Sequence, residues 1–214
     1  MKGNCVLVLS APRSGSSFIT SVIKSLNYST GKNETKVKDR FNERGYFENS
    51  SILKFNEKVL RSIGSSIFNS CDLSDHQKKL SMDYKEELKG IICEEYPALF
   101  VLKDARIIIL RDLYNQVFKS LNISVKTVAI FREAEKSAKS MCDMASISMP
   151  SALACVNYYQ NYLRSLKDSE SIIKIKLEDI IKSTEELKKI TDFLGCKYDK
   201  SVDSLFKKSL IHHK

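Results

Sequence analysis

Four short stretches of the chain are almost entirely apolar and rich in β-branched residues. They occupy residues 5–9 (CVLVL), 99–102 (LFVL), 125–131 (VKTVAIF) and 172–177 (IIKIKL). Apolar runs of this length are typical of strands that are covered on both faces, as they are in a parallel sheet. We therefore predict four buried strands.

Longer segments with a helical spacing of apolar residues lie between and around these strands. They span residues 17–26, 51–63, 76–95, 107–121, 133–144, 151–166 and 184–194. Strands that alternate with longer helices indicate an α/β protein, with a parallel sheet covered by helices. Residues 28–50 are polar and lack a clear period, which is typical of a connection that is either functional or mobile.

Composition agrees with a globular protein, since 43% of the 214 residues are hydrophobic and 29% are charged. The length suits one domain, and no linker rich in glycine or proline divides it, so we predict a single domain over residues 1–214. The net charge of +9 suits an anionic ligand, a nucleic acid or an anionic surface without choosing among them. Lysine-rich runs at 32–38 and 182–189 are equally well explained as solvated faces.

The six cysteines are scattered and include no C-x-x-C pair, which argues against a zinc cluster or a disulfide framework. Reduced thiols favour the cytosol. The apolar run at residues 5–9 is shorter than a signal-peptide core, and no stretch approaches the ~20 apolar residues that a membrane span needs. We expect a cytoplasmic protein with no membrane span and no bound metal.

The most informative segment follows the first predicted strand, where residues 12–17 (PRSGSS) lead into a helix. Ligands of open parallel sheets bind beyond the carboxyl ends of the strands, and a helix N-terminus there favours an anion. Gly15 permits a positive φ or a close backbone approach to oxygen atoms. Ser16 and Ser17 can cap the helix or donate hydrogen bonds to phosphate, and Arg13 supplies a permanent charge. We predict a phosphate-binding loop, with a tight capped turn as the structural alternative.

A Walker A loop is the nearest alternative among phosphate-binding loops. That motif requires G-x-x-x-x-G-K-[ST], whose lysine reaches the β- and γ-phosphates. Here Gly15 is followed by Ser16 rather than lysine, and no upstream glycine has the required spacing. Asp104 is the only candidate for a magnesium-binding carboxylate after an apolar strand. ATP hydrolysis is therefore disfavoured.

At these residues the chain resembles the PAPS-dependent sulfotransferases. Their 5′-phosphosulfate loop has the form P-[KR]-S-G-[ST]-[ST] followed by an aromatic residue or leucine, and residues 12–18 (PRSGSSF) match every position. Their second signature binds the 3′-phosphate, through an arginine that ends a later strand and a serine in the following helix. Arg132 and, eight residues later, Ser140 stand in those positions. The residues that the resemblance assigns to PAPS and its product PAP are Arg13, Ser14, Gly15, Ser16, Ser17, Phe18, Arg132 and Ser140.

Further segments resemble bacterial sulfotransferases that modify small molecules and carbohydrates. They are residues 42–60 (NERGYFENSSILKFNEKVL), residues 100–106 (FVLKDAR) and the last predicted strand and helix. The resemblance implies the sulfotransferase fold, a P-loop-NTPase-like parallel sheet of about four to five strands flanked by helices. The R-K-G-x-x-G segment of cytosolic members is absent from the sequence. The C-terminal candidates for the remaining PAP contacts are Lys207, Lys208, His212 and His213.

Transfer of a sulfuryl group from PAPS to a hydroxyl or amine is the reaction that the resemblance implies. We expect an in-line displacement that needs positioning and charge stabilisation rather than a metal. Arg13 would stabilise the bridging oxygen, where negative charge grows in the transition state. Lys103, as a catalytic residue, and Arg106, in substrate binding, would face the sulfuryl group or an acidic acceptor. Their structural alternative is an ion pair with Asp104.

The general base must lie within hydrogen-bond reach of the acceptor proton. We assign this role to Glu48, which follows the first predicted helix and lies beside Tyr46 and Phe47. A capping or solvated carboxylate is its structural alternative. Rivals for the role are Glu34, Glu43 and Asp104.

No motif in the sequence names the acceptor. We expect a small-molecule or carbohydrate acceptor and no nucleic acid, with a glycan, a lipid-linked sugar, a peptide and a phenolic metabolite all left open. The oligomeric state is not encoded in a readable pattern either. Two other functions stay open: a nucleotide kinase or NTPase with a degenerate phosphate loop, and a non-catalytic module that binds PAP. A basic nucleic-acid-binding protein is a third.

Overall fold

The sheet has the strands that the apolar runs predict. The computed structural model describes residues 3–35, 37–40, 42, 45–69 and 77–199. Its strands are β1 (Gly3–Ser10), β2 (Leu99–Lys103), β3 (Ile123–Phe131) and β4 (Ile172–Lys176). All of them pair in parallel, in the order β2-β1-β3-β4. The α/β class and the parallel sheet are confirmed.

The helices agree with the predicted pattern except in two places. Their bounds are α1 (Ser16–Ser25), α2 (Ser50–Ser62), α3 (Gln77–Glu95), α4 (Arg106–Ile109), α5 (Arg111–Ser120), α6 (Ala134–Ala145), α7 (Met149–Ser165), α8 (Leu177–Lys182) and α9 (Glu185–Leu194). The helix predicted over 107–121 is interrupted at Leu110, whose φ and ψ of −96° and 17° leave the helical range. Helix α8 was not predicted, because its six residues are too few to show a period.

Helices cover both faces of the sheet, because successive side chains of a strand point to opposite sides. Cys5 and Leu7 of β1 face a core that is completed by α2, α3, α5, α6 and α7. Val6 and Val8 face a second core, which α1, α8 and α9 complete. The strands are therefore buried on both sides, which explains why their sequences are apolar without alternation.

The strand order places a crevice between β1 and β3. The chain leaves β1 through α1 towards β2 on one side, and it leaves β3 towards β4 on the other. Ligands of open α/β sheets bind at such a reversal, beyond the carboxyl ends of the strands. Ser10 pairs with Ile130 at this end of the sheet. The predicted phosphate loop follows Ser10 directly, and Arg132 follows β3, so both lie at the mouth of the crevice.

Three further observations on the described residues concern disulfides, membrane-spanning helices and metal-binding clusters. The thiols of Cys5, Cys93, Cys142, Cys155 and Cys196 are free. Within the described ranges no helix has both the length and the apolar character needed to cross a bilayer. No three His, Cys, Asp or Glu side chains among these residues lie together as they would around a metal ion.

Candidate functional site

The predicted phosphate loop is a strained turn that opens α1. Arg13 and Gly15 both have positive φ values, of 64° and 83°. Gly15 is the N-cap residue of α1, and no side chain caps the helix. Ser16 and Ser17 therefore do not cap α1 but lie in its first turn, where backbone N–H groups have no partner within the helix. Uncapped N–H groups at a helix N-terminus are suited to bind an anion.

Tertiary packing gives Gly15 a second reason to be glycine. A Cβ atom at this position would lie 2.9 Å from both δ-carbons of Leu177, the first residue of α8. The loop is thus pressed against the end of β4 on its inner side. A side chain at residue 15 would be strained by the positive φ and would also displace the side chain of Leu177.

The structure brings the two predicted nucleotide signatures together. Nε of Arg13 donates a hydrogen bond to Oγ of Ser140 at 3.0 Å, although the residues are 127 positions apart. Nη1 of Arg132 donates to the backbone carbonyl of Arg13 at 2.9 Å. Arg132 and Ser140 are both buried. The loop after β1 and the arginine–serine pair of β3 and α6 therefore form one site.

Two residues that the sequence analysis missed support this cluster. Ser137 lies between the segments, with its Oγ 3.3 Å from Oγ of Ser14 and donating to the Arg13 carbonyl at 3.5 Å. Nε2 of Gln160 donates to the carbonyl of Arg132 at 2.6 Å. Ser137 could have been found, because it precedes Ser140 by three residues and so lies on the same face of α6. Nothing in the sequence distinguishes Gln160.

The electrostatics of the cluster favour an anion. Burial lowers the pKa of the Arg132 guanidinium, and Arg13 acts in the same direction, while Glu178 and Glu133 oppose both effects. Two arginine side chains held at the N-terminus of one helix repel each other. A phosphate group placed between them would relieve this repulsion and accept their hydrogen bonds.

A second group of predicted residues meets the phosphate loop from the side of β2. Nζ of Lys103, at the end of β2, lies 2.6 Å from Oε1 of Glu48. The same Nζ donates to the carbonyl of Tyr46 at 3.2 Å and to Oγ of Ser17 at 3.5 Å. The Lys103 and Glu48 side chains are only 9% and 16% exposed. Glu48 is therefore neither a helix cap nor a solvated carboxylate, since it forms a shielded ion pair beside the loop.

Asn42 joins the segment before Glu48 to the same loop. Its Nδ2 donates to Oγ of Ser17 at 2.9 Å, and that hydroxyl donates onward to the Tyr46 carbonyl at 3.4 Å. The sequence analysis placed Asn42 in a segment similar to bacterial sulfotransferases but gave it no role. The structure makes it a link between that segment and α1.

Arg106 occupies a different environment from Lys103. Its Nη1 lies 2.9 Å from Oδ1 of Asp104, and its Nη2 lies 3.1 Å from Oε1 of Glu57. Burial lowers the pKa of Arg106, but the carboxylates of Asp104, Glu48 and Glu57, with Asp104 foremost, outweigh burial and raise it. The contacts agree with the structural ion pair that was the alternative to substrate binding. Lys103, by contrast, pairs with Glu48 and not with Asp104.

The remaining predicted residues are placed as follows. Phe18 is half-buried and packs against the core formed by α1, α8 and α9. Glu34 pairs with Lys24 at 2.5 Å and accepts a hydrogen bond from Thr30, while Asp104 is buried and already engaged. The predicted residues that lie outside the described part of the chain are Glu43, Lys207, Lys208, His212 and His213.

Comparison with known proteins identifies the fold. No protein-family model and no curated protein sequence matches the chain. The sulfotransferase domain of a Synechococcus olefin synthase is similar in structure, with a TM-score of 0.57 and 16% identity over 99% of this chain and 80% of that one. This chain has the sulfotransferase fold.

Two further solved structures share the sulfotransferase fold. The sulfotransferase domain of the curacin biosynthetic pathway has a TM-score of 0.50 and 17% identity, over 99% of this chain and 80% of that one. Retinol dehydratase, solved with androsterone and the inactive cofactor PAP, has a TM-score of 0.50 and 14% identity, over 96% of this chain and 64% of that one. The P-loop-NTPase-like sheet and the resemblance to sulfotransferases are confirmed in the fold.

Proposed function

We propose that this chain binds PAPS at the crevice between β1 and β3 and transfers its sulfuryl group to a hydroxyl or amine of a small-molecule or carbohydrate acceptor. The observation that carries the proposal is the contact of 3.0 Å between Arg13 and Ser140. It joins two signatures that are distant in sequence and that would bind opposite ends of one nucleotide. A tight turn with a surface arginine gives no reason for this contact.

The residues at the crevice fit such a nucleotide. Uncapped N–H groups of α1 and the guanidinium of Arg13 suit the 5′-phosphosulfate end, and Arg132 with Ser140 suits the 3′-phosphate. Retinol dehydratase, which has the same fold, was solved with PAP. These facts support PAPS as the cosubstrate.

PAPS supplies an activated sulfuryl group: its S–O bond to the 5′-phosphate breaks as sulfur bonds to the acceptor, and PAP is the second product. Arg13 stabilises the negative charge that grows on the phosphate side of the breaking bond, together with the N–H groups at the start of α1. Lys103 adds a fixed positive charge beside Ser17. The acceptor loses one proton, which a base of the protein must take.

Glu48 is the carboxylate that we assign as this base. All three candidate carboxylates form ion pairs, but the partners of the rivals, Lys24 for Glu34 and Arg106 for Asp104, form no hydrogen bond with residues 12–17 in the described part of the chain. Glu48 lies beside the phosphate loop, because its partner Lys103 also reaches Ser17. The ion pair holds the Glu48 carboxylate beside the loop that would bind the sulfuryl group.

Calorimetry on the purified protein tests the proposal. We expect PAP to bind in the presence of EDTA, and ATP with Mg²⁺ to bind more weakly. Arg13→Ala should weaken PAP binding by about tenfold or more and reduce PAPS turnover by about 10²-fold, because it removes a charge at the reacting group. Arg61→Ala is the matched control, since its side chain is 80% exposed on α2.

Each of the other results would replace the proposal with a different function. Tight binding of ATP with Mg²⁺ but not of PAP would indicate a kinase or NTPase. PAP binding without PAPS turnover, with any acceptor or with water, would indicate a binding module. Equal PAP affinity of Arg13→Ala and the unaltered protein would remove Arg13 from the site.

A further inference from the structure

Glu95, a buried carboxylate away from the crevice, lacks an obvious reason to be where it is. It is the last residue of α3 and is 4% exposed. A negative charge at a helix C-terminus is unfavourable, because the helix dipole is negative there. Among the residues that the structure describes, no lysine or arginine forms an ion pair with it. Its position must be explained by what it binds.

Four hydrogen bonds satisfy the Glu95 carboxylate. Oε1 accepts from Nδ2 of Asn33 at 2.6 Å and from Oγ of Ser51 at 2.7 Å. Oε2 accepts from the backbone N–H of Asn33 at 3.1 Å and from Nδ2 of Asn49 at 2.9 Å. Hydrogen bonds from neutral donors to a buried charge are strong and sensitive to geometry. Burial would raise the pKa of Glu95, but these donors outweigh it and lower the pKa to about 2.

The donors belong to the two chain segments that enclose Glu48. The backbone N–H of Thr35 donates to the carbonyl of Glu48 at 2.7 Å, and the N–H of Ser50 donates to the carbonyl of Asn33 at 2.8 Å. Glu34 and Asn49 face each other in antiparallel pairing. Glu95 thus binds both segments of a short antiparallel pairing. Glu48, the proposed base, lies in one of these two segments.

The side chain of Asn49 is tightly packed in this arrangement. A Cβ atom on Gly31 would lie 2.4 Å from Nδ2 of Asn49, the atom that reaches Glu95. Oδ1 of Asn49 caps α2 by accepting from the N–H groups of Ser51 and Ile52, at 2.9 and 3.2 Å. One amide side chain therefore ties the start of α2 to the end of α3, directly after Glu48.

We propose that Glu95 is a positioning residue, which holds both sides of the Glu48 segment so that the Glu48 carboxylate stays against Lys103 and the phosphate loop. Its importance for catalysis rests on the proposed function, in which Glu48 is the base. Glu95 itself touches no reacting group. Its effect on the segment can be measured without any substrate.

A pair of variants separates this role from simple stability. Glu95→Gln removes the negative charge and, with its NH₂ group at the position of Oε1, requires the side chains of Asn33 and Ser51 to accept hydrogen bonds instead of donating them. Adding Asn33→Asp returns a carboxylate to the cluster, where it accepts from that NH₂ group and restores a charged hydrogen bond between the same two positions. Glu95→Gln should loosen the Glu48 segment, and Glu95→Gln with Asn33→Asp should restore it.

Two measurements on the protein without substrate show how firmly the Glu48 segment is held. In Glu95→Gln we expect the amide protons of Thr35 and Ser50 to exchange about tenfold faster or more, as local opening requires. Lys103 should be methylated by formaldehyde and cyanoborohydride about tenfold faster, since it loses the shielding of Glu48. The exposed Lys54 should react equally in every variant. In Glu95→Gln the turnover of PAPS should fall, while the KM for PAPS should stay within a small factor of that of the unaltered protein.

Controls make the result decisive. Glu94→Gln removes the same charge one residue earlier from an exposed position and should change neither measurement. If Glu95→Gln does not fold, Ser51→Ala removes one donor and should produce a smaller change in the same direction. Unchanged exchange and unchanged Lys103 reactivity in the folded variant would overturn the proposal, and so would a double variant that fails to restore them. Failure of PAP to bind the unaltered protein would instead overturn only the proposed function.

Discussion

Lys103 is the residue that connects the two halves of the candidate site. Its ammonium group lies 2.6 Å from the Glu48 carboxylate and 3.5 Å from the hydroxyl of Ser17. One strand end therefore holds both the proposed base and the phosphate loop. If Glu48 is the base, a change there should disturb proton transfer without altering Arg13, Arg132 and Ser140, the residues proposed to bind the nucleotide.

Glu48→Gln tests this separation of roles. We expect PAPS turnover to fall by about 10²-fold, the usual effect of losing a general base. PAP affinity should stay unchanged, because Arg13, Arg132 and Ser140 remain in place. Steady-state release of PAP and calorimetry measure the two quantities.

Glu87→Gln is the matched control for this substitution. Glu87 also forms an ion pair with a lysine, Lys58, at 2.6 Å, but it lies on the surface with 41% of its side chain exposed. It should leave turnover unchanged. Equal turnover in Glu48→Gln and the unaltered protein would move the role of base to another carboxylate.

At the scale of elements, the phosphate loop depends on how β1, α1 and α8 meet. Gly15 begins α1 in a left-handed conformation, and Leu177 of α8 closes the space that a side chain would need. The backbone conformation of the loop is thus set by the turn between β1 and α1, and its packing is set by α8, which lies far away in sequence. Both requirements act on one residue.

Gly15→Ala and Gly64→Ala distinguish these two requirements. Both glycines have positive φ, 83° and 68°, but a Cβ at Gly64 meets nothing within 4 Å. Gly64→Ala should lower the free energy of unfolding by about 1 kcal/mol, through backbone strain alone. Gly15→Ala should lower it by about 1 kcal/mol more, because the added Cβ must displace the end of the Leu177 side chain, and it should also weaken PAP binding. Denaturant unfolding and calorimetry provide both values; equal effects of the two substitutions would contradict the packing argument.

At the scale of the whole molecule, the buried charge of Glu95 makes stability depend on pH. Its pKa is lowered from 4.5 to about 2 in the folded protein. A lowered pKa stabilises the folded state above the unfolded value, and this contribution is lost as the pH falls through the folded value. The loss therefore lies between about pH 5 and pH 2.

Comparison of the unaltered protein with Glu95→Gln measures this contribution, because the substitution removes the carboxylate whose pKa is lowered to about 2. The difference in unfolding free energy should be up to about 3 kcal/mol at pH 7 and should shrink towards zero as the pH approaches 2. Urea unfolding at pH 7, 5, 4 and 3 measures it. A difference that stays constant over this range would show that the charge of Glu95 is not what stabilises the fold.

Some properties of the whole chain stay predictions. They are the single domain over residues 1–214, the cytoplasmic location and the absence of a metal requirement. The acceptor is equally untested, and Glu43 and the C-terminal lysines and histidines lie outside the described residues.

The sequence by itself determined the class of fold and singled out the loop after β1 as a candidate anion site. Buried strands need continuous apolar runs, and an anion-binding helix start needs glycine, small polar residues and a cation in fixed order. Both are local demands that leave a local pattern. For this reason residues 12–17 could be proposed from the residues themselves, whereas Arg132 and Ser140 were proposed from the resemblance to sulfotransferases.

Only the tertiary structure decided which polar residues work together. Arg106 and Lys103 are three positions apart, yet one joins a structural ion pair with Asp104 and the other joins Glu48 beside the loop. Ser137, Gln160 and Glu95 act on partners that are far away along the chain. The partner of a polar side chain is set by the crossing of strands and helices, and a single sequence carries no local sign of that geometry.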